Sequence, residues 1–293
     1  MKARCVLQAQ AGLAEGPHWW AEKGVLLWVD IEASRVGLFD PVTGRNRFLV
    51  VPSHAGAVVP MSDGELLVAT AQGFVRLHPD SGVVSSLHDP EHDQPGNRFN
   101  DGKCDPWGRF WAGSMAYDFA SGAGSLWRVN ADFSCVRQRQ GLTISNGLAW
   151  SQDRGTLYLI DSPTRQVLAF PLTSSGDFSG EATPCITIPE AWDALPDGMC
   201  IDAEGMLWIA LFGGGAVTRW DPVSGLLLER LELPCRQVTS CCFGGPNLDQ
   251  LFVTTARQEM DAAAIEAEPL AGGLFQADVG VKGLAAACFQ VGG

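Results

Sequence analysis

Leu26-Leu27-Trp28-Val29-Asp30 is an apolar run of strand length, and Glu22-Lys23-Gly24 in front of it is a polar turn. The pairing returns along the chain. Residues 66–70, 110–114, 157–161, 207–211 and 251–255 are similar runs. Before them stand Ser62-Asp63-Gly64, Pro106-Trp107-Gly108, Asp153-Arg154-Gly155, Ala203-Glu204-Gly205 and Asn247-Leu248-Asp249. The runs start roughly 40 to 50 residues apart, the period of a propeller blade. Where glycine occurs in these turns, it is expected to supply the positive φ of a tight hairpin.

Most of the runs are followed by another strand and another turn. Residues 36–39 precede Asp40-Pro41-Val42-Thr43-Gly44, residues 74–77 precede His78-Pro79-Asp80-Ser81-Gly82, and residues 217–220 precede Asp221-Pro222-Val223-Ser224-Gly225. About six blades of about four strands result, because a lone four-stranded sheet cannot cover both apolar faces whereas neighbours stacked round an axis can. The expected fold is all-β: a six-bladed β-propeller of four-stranded antiparallel blades around a central axis, with residues 1–293 as one domain. Residues 258–267 are the one helical candidate, an insertion in a blade. Ring closure calls for residues 5–10 to pair with the last blade, within residues 273–291, leaving few free edges.

Hydrophobic residues make up 46% and charged ones 18% of 293, a globular balance. A formal net charge of −13 opposes binding to phosphate backbones and suits cations. The nine cysteines are odd in number and form no C-x-x-C pair, which points to a reducing compartment without disulfides. No segment reads as a leader or approaches the roughly 18 apolar residues of a membrane helix. The expectation is a cytoplasmic monomer or weak oligomer that binds neither nucleic acid nor membrane.

Ten or eleven residues before each core run, the innermost strand of that blade should begin. That position is Glu15 in blade one, Asn100 in blade three, Asn146 in blade four and Asp197 in blade five. Blades two and six place Ala55-Gly56 and Ser240-Cys241 there. Equivalent positions on a ring converge on its axis, so four oxygen-bearing side chains are expected to meet. Taken singly, Asn-Gly and Asp-Gly pairs are turn formers; the shared register sets these apart. Oxygen donors without His or Cys suit a hard divalent cation.

Glu15-Gly16-Pro17, Asn97-Arg98-Phe99-Asn100-Asp101-Gly102-Lys103, Asp105-Pro106-Trp107-Gly108-Arg109, Ser145-Asn146-Gly147-Leu148-Ala149 and Pro196-Asp197-Gly198 together resemble the senescence-marker-protein/gluconolactonase/luciferin-regenerating-enzyme family. Phe243-Gly244-Gly245-Pro246 and residues 251–256 resemble its last blade. The resemblance implies a divalent metal held by Glu15, Asn146 and Asp197, with Ca²⁺, Zn²⁺, Mn²⁺, Mg²⁺ and Fe²⁺ all admissible. It places Arg98 and Asn100 on the substrate, with Asp101 orienting them and Asp118 in a substrate-contacting position of shortened reach. Where many relatives have Trp-Gly-Gly, this chain has Phe212-Gly213-Gly214. The implied activity is metal-dependent hydrolysis of an aldonolactone to the aldonic acid; for that chemistry Asp197 is the candidate general base, sharing the task with metal binding. The alternatives are organophosphate hydrolysis on the same metal site and, behind it, a non-catalytic scaffold. No Gly-x-Ser-x-Gly elbow supports nucleophilic catalysis. His18 could line the channel or pack. His88-Asp89-Pro90-Glu91-His92-Asp93 reads as a solvated loop before a second metal site, and Trp19, Trp20 and Trp192 as packing before sugar stacking.

Overall fold

The innermost strands in the computed structural model, which describes residues 1–292, are Ala14–Trp20, Ala55–Pro60, Asn97–Cys104, Ser145–Trp150, Leu195–Ile201 and Val238–Gly244. Each opens a four-stranded antiparallel sheet, and the six sheets form a ring in which each innermost strand packs against the next and the sixth meets the first. The second strands, Val25–Asp30, Leu66–Thr70, Phe110–Ala116, Thr156–Asp161, Leu207–Phe212 and Gln250–Thr255, contain the apolar runs of the repeat. Their apolar side chains meet between blades. Val29 and Ile31 pack with Ala55, Val58, Leu66 and Val68 of the next blade, and Trp208 and Ala210 with Cys241 and Phe243. A ring of such interfaces buries both faces of every sheet, as the repeat requires.

The ring is stapled by its first strand. Arg4–Leu7 pairs antiparallel with Leu274–Asp278, so the last blade is built from both ends of the chain. This strand stops at Leu7 rather than reaching residue 10, where Gln10 has a φ of 53°. The helix is shorter than its pattern: it spans Ala262–Ala267, and Asp261 caps it by accepting from Ala264 N. In Asp153-Arg154-Gly155 the left-handed residue is Arg154 (φ 62°) and not the glycine, a correction to the turn expectation. Among the described residues, no helix is long and apolar enough to cross a membrane.

Two turns between innermost and second strands are built alike. Asp105 and Asp202 are both fully buried. Asp105 accepts from Trp107 N, Arg109 N, Arg109 Nε and Trp111 Nε1. Asp202 accepts from Glu204 N, Met206 N, Trp208 Nε1 at 2.9 Å and Arg219 Nε at 2.8 Å. One carboxylate thus orients the turn, the following tryptophan and an arginine, and the innermost strand leaves the turn at a fixed angle. Asp202→Ala would leave the Arg219 guanidinium and the Trp208 N–H without their buried partner. Arg219 keeps Glu204 and Glu229, so a loss of about 1–3 kcal/mol is expected, the cost of leaving buried donors unmatched. Urea denaturation of the two proteins measures it, and equal midpoints would remove Asp202 from the framework.

Candidate functional site

Every innermost strand slips register against its neighbour at about the same height. The slips lie between Glu15 and His18, Ala55 and Ala57, Phe99 and Gly102, Asn146 and Leu148, Pro196 and Met199, and Val238 and Ser240. A bulge leaves residues unpaired and re-aims their side chains. Asn100, Asp101 and Asp197 sit inside these slips, and Glu15 and Asn146 border them. The Asn-Gly and Asp-Gly pairs here are therefore inside strands and not turns. The glycines serve close approach: a Cβ at Gly147 would stand 2.8 Å from Asp197 O, and one at Gly198 would strike the Ser240 side chain.

Glu15, Arg98, Asn100, Asp101, Asn146 and Asp197 are all buried. A directed chain of hydrogen bonds joins four elements of the site. Arg98 Nη1 donates to Asn100 Oδ1 at 2.7 Å, and Asn100 Nδ2 donates to Asn146 Oδ1 at 2.9 Å. Asn146 Nδ2 donates to Ser162 Oγ at 2.8 Å, and Ser162 Oγ donates to Pro196 O at 2.6 Å. Arginine can only donate and a carbonyl can only accept, so the sense of the chain and both amide orientations follow. The relay begins in blade three, crosses blade four and ends on the peptide before Asp197. Ser162 was not visible in the sequence, because it follows a second strand and acts across a blade boundary.

The carboxylates crowd one end of the channel. Burial, with Asp101 adding repulsion, pushes Glu15 up to about 8, although Gly16 N–H, Arg98 and a hydrogen bond with Asp197 oppose the shift. Burial first, then Glu15 and Asp101, hold Asp197 well above the usual carboxylate range. Burial raises Asp101 too, with Lys103 pulling the other way. Burial lowers the Arg98 guanidinium against the attraction of Tyr117, Glu15, Asp197 and Glu32. Asp197 Oδ1 and Asp101 Oδ2 are buried without a hydrogen-bond partner among the described residues. Asn146 Oδ1 accepts one hydrogen bond and keeps a second lone pair. Among the described residues no three His, Cys, Asp or Glu side chains form a ligand group. A three-donor set of Glu15, Asp197 and Asn146 therefore needs the amide oxygen. Orphaned carboxylate oxygen, excess negative charge and an all-oxygen donor set fit a hard divalent cation.

Asp118 stands apart. It is exposed, and its carboxylate accepts from Ala120 N within its own loop, with no hydrogen bond to Arg98, Asn100 or Asp101. The side chains near Arg98 on that side include Tyr117, whose hydroxyl lies 3.0 Å from His54 Nδ1. Neither was singled out from sequence as a substrate contact, and the pair comes together only because blades two and three meet at the channel mouth. In the run of residues 88–93, His88, His92 and Asp93 are exposed, whereas Glu91 is buried. Glu91 accepts from Ser114 Oγ, Trp127 Nε1 and Asn97 Nδ2 and so anchors the loop to blade three. Trp19 stacks on Phe252, and Trp192 packs on Trp220, both as packing residues.

Residues 13–257 match the family described as SMP-30/Gluconolactonase/LRE-like region. A Bacillus subtilis (strain 168) protein provisionally named sugar lactone lactonase YvrE is 38% identical over 281 residues, 95% of this chain and 96% of that protein. Regucalcin of Xenopus laevis is 37% identical over 295 residues, covering 99% and 98%. The crystal structure of a calcium-binding protein, regucalcin, from Agrobacterium tumefaciens superposes with a TM-score of 0.94 at 31% identity, covering 99% of this chain and 97% of that one.

The cluster makes a pH prediction. An unfolded chain releases the Glu15 proton near 4.5, whereas the folded protein without metal keeps it up to about 8. The folded state binds more protons in that window. The stability that this group contributes is full below about pH 4.5 and is lost as pH rises through about 8. With chelator present, the melting temperature should fall across this range more steeply for the natural protein than for Glu15→Gln. Parallel profiles would show that Glu15 is not the group responsible.

Proposed function

Since the chain belongs to the SMP-30/gluconolactonase/LRE-like family, we propose that it hydrolyses a sugar lactone of the aldonolactone type to the aldonic acid. The observation that carries this reading is the convergence of Glu15, Asn146, Asp197 and Arg98 at one end of the channel, with charge and oxygen donors unmatched inside the protein. The name of the Bacillus relative supports a lactone as substrate. That of the Agrobacterium structure supports a divalent cation.

Glu15, Asn146 and Asp197 would hold the ion, which when bound supplies positive charge to polarise an ester carbonyl and to acidify water. The chain's own groups supply the rest. Asp197 Oδ1, which has no partner among the described residues, is the atom to take a proton from water as its oxygen attacks the lactone carbonyl carbon. Breaking the ring C–O bond frees an alkoxide, and the same proton passes from Asp197 to that oxygen, giving the acid and a hydroxyl. Arg98 pulls Asp197 back towards the ionised form that a base needs. Its Nη1 is engaged by Asn100 and Phe99 O, while Nε and Nη2 make no hydrogen bond among the described residues. They are the donors for substrate hydroxyls or the developing oxyanion. Asn100 holds Arg98 on one side and Asn146 on the other, so it couples substrate binding to the ligand set. Asp101 we assign to the charge and orientation of that pair. Asp118 is left at the rim, and Tyr117, which is paired with His54, is the side chain there that acts on Arg98.

A pH-indicator assay on five- and six-membered aldonolactones tests the reading, with protein as purified, after chelation and after return of each metal. Activity should disappear with chelator and return with one or more metals. A folded, metal-loaded protein that opens no lactone would overturn the proposal.

The role of Asp197 has its own test. Asp197→Asn keeps an oxygen donor and removes the base, so kcat should fall by about 10²–10⁴-fold, the range for acid–base catalysis, while the ion stays bound. Near-normal turnover in that variant with metal retained would assign the proton transfer elsewhere.

A further inference from the structure

The innermost strands enclose a second chamber beyond the acidic cluster. Its lining residues follow the cluster along the same strands: His18 comes three positions after Glu15, Lys103 three after Asn100, Leu148 two after Asn146 and Cys200 three after Asp197. The chamber has a volume of about 340 Å³, within the range of small-molecule sites.

Its floor is a strap. After the last blade strand the chain crosses the open end of the channel. It is pinned on one side by Ala203 N to Lys282 O at 2.8 Å and Gly283 N to Leu248 O at 2.7 Å. On the other side, Phe289 N donates to Pro60 O at 2.9 Å and Gln290 N to Gly108 O at 2.8 Å. Residues 284–288 between these pins make no backbone hydrogen bond among the described residues, and residues 284–287 line the chamber.

The chamber's chemistry is opposite to that of the cluster. Although the protein carries a net charge of −13, no Asp or Glu among the described residues lines this space, and Lys103 and Arg154 do. Lys103 Nζ donates to Met199 O at 2.6 Å, which leaves two N–H groups without a partner among the described residues. Its charge is felt on the chamber side: it adds to the burial that lowers His18 to about 3, and it opposes the burial that pushes the Cys242 thiol up. His18 is therefore a neutral imidazole. It makes no hydrogen bond to the described residues, and its Nε2 is shut off from solvent. The remaining wall is mostly apolar, with Pro17, Leu148, Phe243 and the alanines of the strap.

We propose that this lower chamber binds a small carboxylate with an apolar body, its charge on Lys103 Nζ and its body against Leu148, Phe243 and the strap. An aldonate does not suit it, because its hydroxyls would be buried against apolar wall without partners. The chamber is thus distinct in ligand class from the metal-binding end, and its occupancy is readable without any measurement of turnover.

The test is a titration of the full-length, metal-loaded protein with hexanoate, followed by the His18 ring resonances in NMR and by calorimetry. A saturable shift with one hexanoate per chain is expected. Lys103→Met should weaken binding by about tenfold or more, the value of a charge-assisted hydrogen bond. Lys103→Arg should retain it, and the exposed change Arg154→Gln should leave the fold intact and weaken binding less. Gluconate, as control, should leave the His18 ring unmoved. No saturable shift with hexanoate, equal affinity in a folded Lys103→Met, or gluconate binding there as tightly as hexanoate would each overturn the proposal.

Discussion

Six innermost strands share one narrow axis, and the close approach of their backbones is the constraint on which the rest of the structure depends. Straight strands with full side chains could not come so near. The ring solves this with a bulge in each strand at a common height and with glycine where neighbours touch, as at Gly147 against Asp197 O. The bulge that admits the neighbour also frees side chains from the ladder and turns them to the channel. Packing and site are thus one feature. The polar residues stand at the axis because the strands must be irregular there, and the regular second strands behind them, with Trp28, Trp111 and Trp208 fully buried, keep the irregularity in place.

That geometry brings together groups that repel one another. Glu15, Asp101 and Asp197 share a buried space with Arg98, and burial alone raises the pKa of each acid. A protein spends stability on such a cluster when function needs it. The hydrogen-bonded relay from Arg98 to Pro196 O limits the cost of the neutral members, since every amide and hydroxyl in it is both donor and acceptor in one consistent sense. The acids have no such relay. Asp197 Oδ1 and Asp101 Oδ2 remain unmatched, so the cluster is preorganised for positive charge from outside the chain.

The blade plan was readable because each blade repeats one apolar run behind one polar turn, and the second strands fall on those runs. The convergence of Glu15, Asn100, Asn146 and Asp197 was readable from spacing, since a ring turns equal sequence offset into common height. Other features left no such trace. Ser162, Tyr117 and His54 act across blade boundaries from positions outside the repeat, so no offset marks them. Glu91 looked like part of a polar loop, and only the fold shows that three donors converge on its carboxylate. Asp118 had the right neighbours in sequence, but its loop turns the carboxylate back on Ala120 N. Arg154 takes the left-handed conformation beside a glycine that could have done so more cheaply, and nothing in the contacts of that turn explains the choice.

Lys103 marks the division of the channel. Along the innermost strands, side chains before it present carboxylates and amides to the axis, and those beyond it present imidazole, thiol and hydrocarbon. Its ammonium opposes the burial that raises Asp101 on one side and adds to the burial that keeps His18 uncharged on the other. The two ends of the channel thereby differ in the charge of the groups that line them. The same cation that limits repulsion within the acidic cluster makes the lower chamber unsuited to a second cation. A change at Lys103 should therefore be felt at both ends, whereas a change at Arg154, on the rim and exposed, acts on the lower end alone.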